Sequence, residues 1–504
     1  MELLVPLDGR SQTPMYEQIY RFIREEIRKG NLKAGERLPS SRILSENLKV
    51  SRSTVQLAYD QLSAEGYMET VPYKGCFIAD TEGLFKLEEG QAGTRTEGVL
   101  YSKEEERRSE WKGSIDFSPR GIDLENFPFG VWRKLNRDTL VDDNREMFGA
   151  GDPRGEMPLR EAIRSYLHSA RGVNCRAEQI IVGAGSEYLL MLLSRVLGDG
   201  HRIAMEDPTY KQAYRVLSGQ GYPVCPIHMD KYGMRTALLR KSGADVAYVM
   251  PSHQYPTGIV MPVKRRQELL NWAYEQEGRY LIEDDYDSEF RYKGMPIPAL
   301  QGMDQKGRVI YIGTFSKSIA PAIRIGFLVL PPSLLEIYEK KASFYSSTVS
   351  RIDQNVLYQF LVKGHYERHL NRMRAVYKGK HDVLLGALKK LEDRFTIYGE
   401  HAGLHVLLKH KQGLEEETLI RLAAEKGVRV YGLSSYFISE DGKQDSSTLV
   451  LGYATLTQEE IEEGAGLLNE AWKEETNGIN HIVLSGERGS ISDASPDPQK
   501  TCRK

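Results

Sequence analysis

Cysteine is scarce in this chain: Cys76, Cys175, Cys225 and Cys502 are its only four, far apart and without a CxxC pair. Such spacing excludes a thiolate zinc site and a disulfide framework, and it fits a reducing compartment. Long apolar runs are missing too. The longest, such as YLLMLL at 188–193, fall far short of the roughly 20 residues that span a bilayer. The opening MELLVPLDGR lacks a basic segment followed by an apolar stretch, so no secretory leader is expected. Neither sign of charge dominates, with a net charge of -2. That argues against a general nucleic-acid coat and confines any DNA contact to a local patch. The expectation is a cytoplasmic, soluble protein with no metal and no membrane partner.

What is present divides the chain. At 504 residues it exceeds one core and calls for two or three domains. Residues 1–80 are compact and periodic. Residues 81–112 are polar, Gly-containing and charge-rich, and read as a linker. From 113 to 476, apolar runs such as QIIVG, DVAYVM, RYLIE, RVIYIG and IGFLVL alternate with amphipathic segments such as LREAIRSYLHSA. Strands alternating with helices predict an α/β domain with a largely parallel sheet flanked by helices. Residues 477–504 are polar and Ser/Pro/Asp-rich, and disorder is expected there.

In the first segment, Pro14 opens a helix in which Tyr16, Ile19, Tyr20, Ile23 and Ile27 recur at helical spacing. LPSSRILSENL follows, with Ser40 or Ser41 as N-cap and Leu44 and Leu48 inward. After a short turn, SRSTVQLAYDQLSAEG carries a core stripe of Val55, Ala58, Tyr59 and Leu62. Two short strands around Pro72-Tyr73-Lys74-Gly75 complete a winged helix-turn-helix plan. Between residues 28 and 52, seven Lys/Arg stand against two Asp/Glu, a basic patch sufficient to dock on a duplex. Ser51, Arg52, Ser53 and Thr54 supply hydroxyls and a cation at the start of the second helix of the motif. The run LPSSRILSENLKVSRSTVQLAYDQLSAEGYMETVPYKGCFIA closely resembles the DNA-binding domain of GntR-family bacterial regulators. That resemblance implies that Arg42, Ser51, Arg52 and Thr54 contact DNA, with a wing at Lys74–Gly75.

A second constellation surrounds Lys317 in GTFSKSIAPAIRIGF, directly after an apolar strand. A lysine beside a buried strand is costly unless it is paired or its pKa is lowered, and a lowered pKa makes it nucleophilic toward an aldehyde. If the aldehyde is pyridoxal 5′-phosphate, three partners are needed: an anion, phosphate donors and a platform for the ring. Asp284 ends the run RYLIED and can serve the pyridine nitrogen, and Tyr286 can reach the ring oxygen. Thr314, Ser316 and the fork of Arg324 can take the phosphate. So can the amides of Ala184, Gly185 and Ser186 at a helix N-terminus. Tyr210 can cover the ring.

Together, and in this order, these residues resemble the fold-type I (class I/II) aminotransferase domain, with T-x-S-K-x6-R as the most specific element. The combination with a GntR-type winged helix resembles the MocR/GabR subfamily of regulators. The resemblance implies a fold-type I main domain with a small C-terminal α/β subdomain and an N-terminal α+β winged helix. It also implies an internal aldimine on Lys317, a head-to-tail homodimer, double-stranded operator DNA, and an amine or amino-acid effector. Two features depart from a working enzyme. Tyr255-Pro256-Thr257-Gly258 replaces an Asn-Pro-x-Gly turn, leaving His253 or Gln254 as substitutes. The strand STLVLGYATL lacks the arginine that would fork a substrate carboxylate; Arg351, Arg372 and Arg374 remain candidates. An aminotransferase carrying a DNA-binding appendage, or a regulator whose large domain is only a scaffold, are the alternatives.

Overall fold

The computed structural model describes residues 3, 5–8, 11, 13–71, 74–79, 115–292, 297–439 and 447–473. It separates into two compact units, Met1–Glu110 and Trp111–Lys504. The linker expected at 81–112, the tail at 477–504, and Pro72 and Tyr73 of the expected turn lie outside the described residues.

In the first unit, α1 (Met15–Arg28) buries Ile19, Tyr20, Ile23 and Ile27 on one stripe. Tyr16, expected on that stripe, is exposed at the first turn, so the apolar face begins at Ile19. Helix α2 (Ser41–Leu48) is capped by Ser40, whose hydroxyl accepts from the Ile43 amide at 3.3 Å. Lys49 then adopts a left-handed conformation (φ 54°), which stops α2 and reverses the chain. Helix α3 (Arg52–Ala64) turns Val55, Ala58, Tyr59 and Leu62 inward. The Tyr59 hydroxyl donates to the Pro39 carbonyl at 2.8 Å, tying α3 to the entry of α2. Strands β1 (Met68–Val71) and β2 (Gly75–Ile78) form the antiparallel wing, with Met68 opposite Ile78 and Val71 opposite Gly75. This is a winged helix-turn-helix.

The second unit begins with β3 (Ile115–Asp116) and is organised by an eight-stranded sheet. Its strands are β4 (Ile180–Gly183), β5 (Ile203–Asp207), β6 (Val224–Asp230), β7 (Gly233–Met234), β8 (Val246–Val249), β9 (Tyr280–Asp285), β10 (Val309–Thr314) and β11 (Gly326–Val329). The spatial order is β4-β11-β10-β9-β8-β5-β6-β7. Pairing is parallel from β10 through β6, whereas β11 runs antiparallel to both β10 and β4, and β7 runs antiparallel to β6. Both faces are apolar because side chains alternate. Ile181, Ile310 and Ile312 join the core on one side, while Ile180, Val182 and Tyr311 join that on the other. The C-terminal part is a four-stranded antiparallel sheet of β12 (Phe395–Tyr398), β13 (His405–His410), β15 (Tyr431–Gly432) and β16 (Thr448–Gly452), ordered β12-β13-β16-β15. Strand β14 (Val428–Arg429) pairs with β3, with Val428 opposite Ile115.

Register sets the site. Asp284 of β9 lies opposite Ile312 of β10, and Thr314 lies opposite Gly326 of β11. Gly326 in turn lies opposite Gly183 of β4. The carboxyl ends of β4, β9 and β10 therefore open on one edge, where open α/β sheets bind ligands.

Candidate cofactor site and DNA-binding face

At that edge, β4 turns through Ala184 and Gly185 into the helix Ser186–Leu197. Gly185 has φ +90°, and a Cβ there would fall 2.6 Å from Arg324 Nη2. The left-handed angle favours glycine, and a side chain there would also push the guanidinium aside. Arg324 is itself left-handed (φ 52°), and its Nη2 donates to the Ala184 carbonyl at 3.2 Å and to Glu187 Oε2 at 2.9 Å. Thr314 Oγ1 donates to Ser316 Oγ at 3.0 Å and accepts from the Ser316 amide at 3.1 Å. Thr348 Oγ1 accepts from the Ala184 amide at 3.0 Å. The result is a cradle of helix-terminal amides, hydroxyls and one cation, suited to a phosphate.

Asp284 is buried at the end of β9 and accepts a hydrogen bond from the phenol of Tyr248. Burial pushes its carboxyl up to about 7, countered by Tyr248 and reinforced by Asp285, Asp287 and Glu187. Beside it, the Tyr286 oxygen and His253 Nδ1 are 3.0 Å apart, and Nδ1 lies 2.9 Å from Asp287 Oδ2. His253, one of the two expected substitutes for the missing asparagine, therefore lies against Tyr286. Gln254 instead locks the turn, accepting from the Thr257 amide at 3.0 Å and donating to the Pro208 carbonyl at 2.8 Å. Tyr210 packs edge-on against Tyr255, with ring centroids 6.0 Å apart.

Lys317 is half-buried. Its Nζ donates to the carbonyl of Arg120 at 2.7 Å and to that of Pro119 at 3.3 Å. Burial pulls its ammonium down to about 8, against the attraction of Asp287 and with the repulsion of the Arg120 guanidinium. A neutral amine is thereby accessible just above neutral pH, the condition for attack on an aldehyde.

The remaining arginine candidates are engaged elsewhere. Arg351 Nη2 donates to Glu156 Oε2 at 3.0 Å. Arg372 Nη2 donates to Asn126 Oδ1 at 2.6 Å, and Arg374 Nε to the Glu289 carbonyl at 2.8 Å. On β16, the strand expected to carry the enzyme's arginine, Val450 sits buried in the core. Reasoning from sequence missed Tyr248, Thr348, Asp287 and Arg120, which join the site from other strands and loops. For Asp287 a local signal existed, since it follows Tyr286 directly. The others have none.

In the first unit, Arg42, Arg52, Ser53 and Lys74 are exposed along α2, α3 and the wing. Ser51 has a structural duty: its hydroxyl caps α3, accepting from the Thr54 amide at 3.1 Å. It also lies 2.8 Å from Ser53 Oγ and 2.7 Å from Thr54 Oγ1. Arg42 Nε reaches Glu46 Oε1 at 3.2 Å, an exposed pair that solvent weakens. Gly75 has φ +111°, and a Cβ there would come 3.1 Å from Arg37 Nε. Arg37 is therefore a wing cation that the sequence reading did not single out.

Residues 15–78 match the family described as Bacterial regulatory proteins, gntR family, and residues 122–468 match Aminotransferase class I and II. The uncharacterized HTH-type transcriptional regulator YhdI of Bacillus subtilis (strain 168) is 39% identical over 473 residues, covering 94% of this chain and 98% of its own. The probable rhizopine catabolism regulatory protein MocR of Rhizobium meliloti is 34% identical, covering 93% of this chain and 96% of its own. The crystal structure of Pyrococcus horikoshii kynurenine aminotransferase, in complex with PMP, superposes with TM-score 0.67 at 26% identity, covering 74% of this chain and 95% of its own. A winged helix joined to a class I/II aminotransferase fold defines a class, the DNA-binding regulators built on a transferase scaffold. Within it, this chain belongs to the GntR-family HTH-type transcriptional regulators of the MocR kind.

The residues present fit pyridoxal phosphate. The test is the close approach of the Arg324 guanidinium to the Gly185 turn, together with the buried Asp284 and the amine of Lys317 at one sheet edge. No helix among the described residues is long and apolar enough to cross a membrane.

Proposed function

We propose that this protein is a cytoplasmic transcriptional regulator that binds operator DNA through residues 1–80. In residues 113–476 it holds pyridoxal phosphate covalently at Lys317, as the sensor of an amine or amino-acid-like effector or of the cofactor itself. Residues 81–112 join the two domains, and two copies assemble head to tail. The observation that supports this reading most is the convergence of Lys317, Asp284, Tyr286, Gly185 and Arg324 on one sheet edge, in a chain that also carries a winged helix.

When bound, pyridoxal phosphate supplies an aldehyde that condenses reversibly with primary amines. Arg324, the amides of Gly185 and Ser186, and the hydroxyls of Thr314 and Ser316 would hold its phosphate. Asp284 would pair with the ring nitrogen, Tyr286 with the ring oxygen, and Tyr210 would cover one face. His253 keeps the Tyr286 hydroxyl oriented, and Asp287 keeps the imidazole oriented in turn. On the DNA side, Arg42, Arg52, Ser53, Thr54 and the wing at Lys74–Gly75 face the duplex, with Ser51 fixing the helix start.

Purified protein is expected to be yellow, with a visible band that shifts on borohydride reduction and is absent from Lys317→Ala. A colourless protein that still binds DNA in a gel-shift assay overturns the sensor reading. Steady conversion of an amino acid and 2-oxo acid pair at enzyme-like rates makes the protein an aminotransferase instead.

A further inference from the structure

The strand that should present an arginine to a ligand carboxylate is apolar, yet the site does not lack a guanidinium. Residues 117–121 are pressed against the end of β16. The Gly452 amide donates to the Phe117 carbonyl at 2.9 Å. A Cβ on Gly452 would lie 2.2 Å from the Ser118 carbonyl oxygen, and one on Gly121 would lie 2.1 Å from Thr455 Cγ2. Two glycines thus let this segment seat without freedom to shift. From there the Arg120 carbonyl receives Lys317 Nζ at 2.7 Å, so the residue is fixed beside the reactive amine by its backbone.

Its side chain is exposed, and its charge bears on Lys317, Tyr210 and Tyr255 alike. Nearby carboxylates are already matched. Asp123 takes Lys380 Nζ at 2.8 Å, and Asp116 accepts from the Tyr431 hydroxyl at 2.9 Å. Among the described residues, no carboxylate lies within ion-pair distance of Arg120. An arginine fixed by its backbone at the amine of Lys317, with its fork unused, is a binding group for an anion.

We propose that Arg120 is the effector's anion-binding residue: it holds a carboxylate, or a group of like charge and shape, on an amine that reacts at Lys317. The assignment rests on the Lys317 reading above and narrows its ligand to amines that carry an anion. The backbone contact to Lys317 survives any substitution of the Arg120 side chain, so the two can be separated.

The test uses the full-length, cofactor-loaded protein, titrated by visible absorbance with L-alanine, β-alanine and 4-aminobutyrate, and with n-propylamine as the anion-free probe. Wild type is expected to bind at least one amino acid tenfold or more tightly than propylamine. In Arg120→Gln that ratio is expected to fall to within about twofold of unity, with Arg120→Lys intermediate because an ammonium cannot offer a fork. Thermal melts show whether each variant is folded. If the wild type has no preference, or Arg120→Gln keeps it, the assignment is overturned while the Lys317 site stands. A wild type without a visible band overturns the Lys317 reading itself, a separate result.

Discussion

The phenol of Tyr248 donates a hydrogen bond to the Asp284 carboxylate inside the sheet, where both residues are almost closed to solvent. Burial raises Asp284 to about 7, and Tyr248 is the contact that works most against that rise. Tyr248→Phe is therefore expected to move Asp284 further up, so that it is largely protonated at neutral pH and cannot serve as the ring-nitrogen anion. A hydrogen bond to a charged group is worth about 1.5–3 kcal/mol, so cofactor affinity at pH 7 should fall roughly 10–100-fold. Raising the pH should recover part of it, because the carboxylate ionises again. Absorbance titration at pH 7 and pH 9 checks this; an unchanged affinity would show that Tyr248 does not set the charge of Asp284.

On the DNA side, neighbouring residues should fail in different ways. Ser51→Ala removes the cap of α3 and should cost about 1 kcal/mol of stability in the first unit. Arg52→Ala should leave stability intact and weaken operator binding by ~1–3 kcal/mol if it reads a base. Melting curves and gel shifts on the two variants separate the roles, and the visible band should be untouched in both. Loss of affinity in Ser51→Ala with no change in melting would return Ser51 to direct contact.

His405 gives a pH signature. Burial, helped by the neighbouring His253 imidazole, lowers it to about 3, and its Nε2 lies 2.8 Å from the Pro256 carbonyl. The folded pKa lies below the unfolded value of roughly 6.5, so on acidification the unfolded chain takes up a proton that the folded chain refuses. Stability is therefore lost as pH falls through the window from about 6.5 to about 3, at up to ~1.4 kcal/mol per pH unit. His405→Gln keeps a donor for Pro256 and removes the titration. Between pH 7 and pH 5 it should lose about 2 kcal/mol less than wild type in urea unfolding. Equal losses would mean that His405 accepts a proton within the fold.

Gly185 is tested by one methyl group. In Gly185→Ala the Cβ must displace the Arg324 guanidinium, which a glycine lets approach. Losing a charge-assisted fork should weaken cofactor binding on the order of 10–100-fold. Equilibrium dialysis against pyridoxal phosphate measures it, and wild-type affinity in this variant would remove the cradle from the phosphate site.

Much of this architecture was readable because its signals are local. Helical spacing places Ile19, Ile23 and Ile27 on one face, and the apolar runs around Ile181, Ile282 and Ile310 are strands. The grouping of residues around Lys317 was readable for the same reason: Thr314, Ser316 and Arg324 occupy one short loop and two strand ends. Tyr248, Thr348 and Arg120 reach the site through contacts 36, 164 and 197 residues apart in the chain. No periodicity or turn chemistry carries that information, since it depends on strand order and register. The direction of β11 was hidden likewise, because IGFLVL reads the same in a parallel or an antiparallel pair.

One backbone angle has a consequence for the protein's history. Arg324 lies at φ 52°, where a side chain costs about 1–2 kcal/mol and a glycine nothing. Arg324→Gly should thus abolish cofactor retention while holding or slightly raising the melting temperature, the residual gain being reduced by glycine's own entropy. A lineage that ceased to need the cofactor would find this replacement open and mildly favoured. A grip on the cofactor's phosphate would explain why an arginine, and not a glycine, stands at this angle.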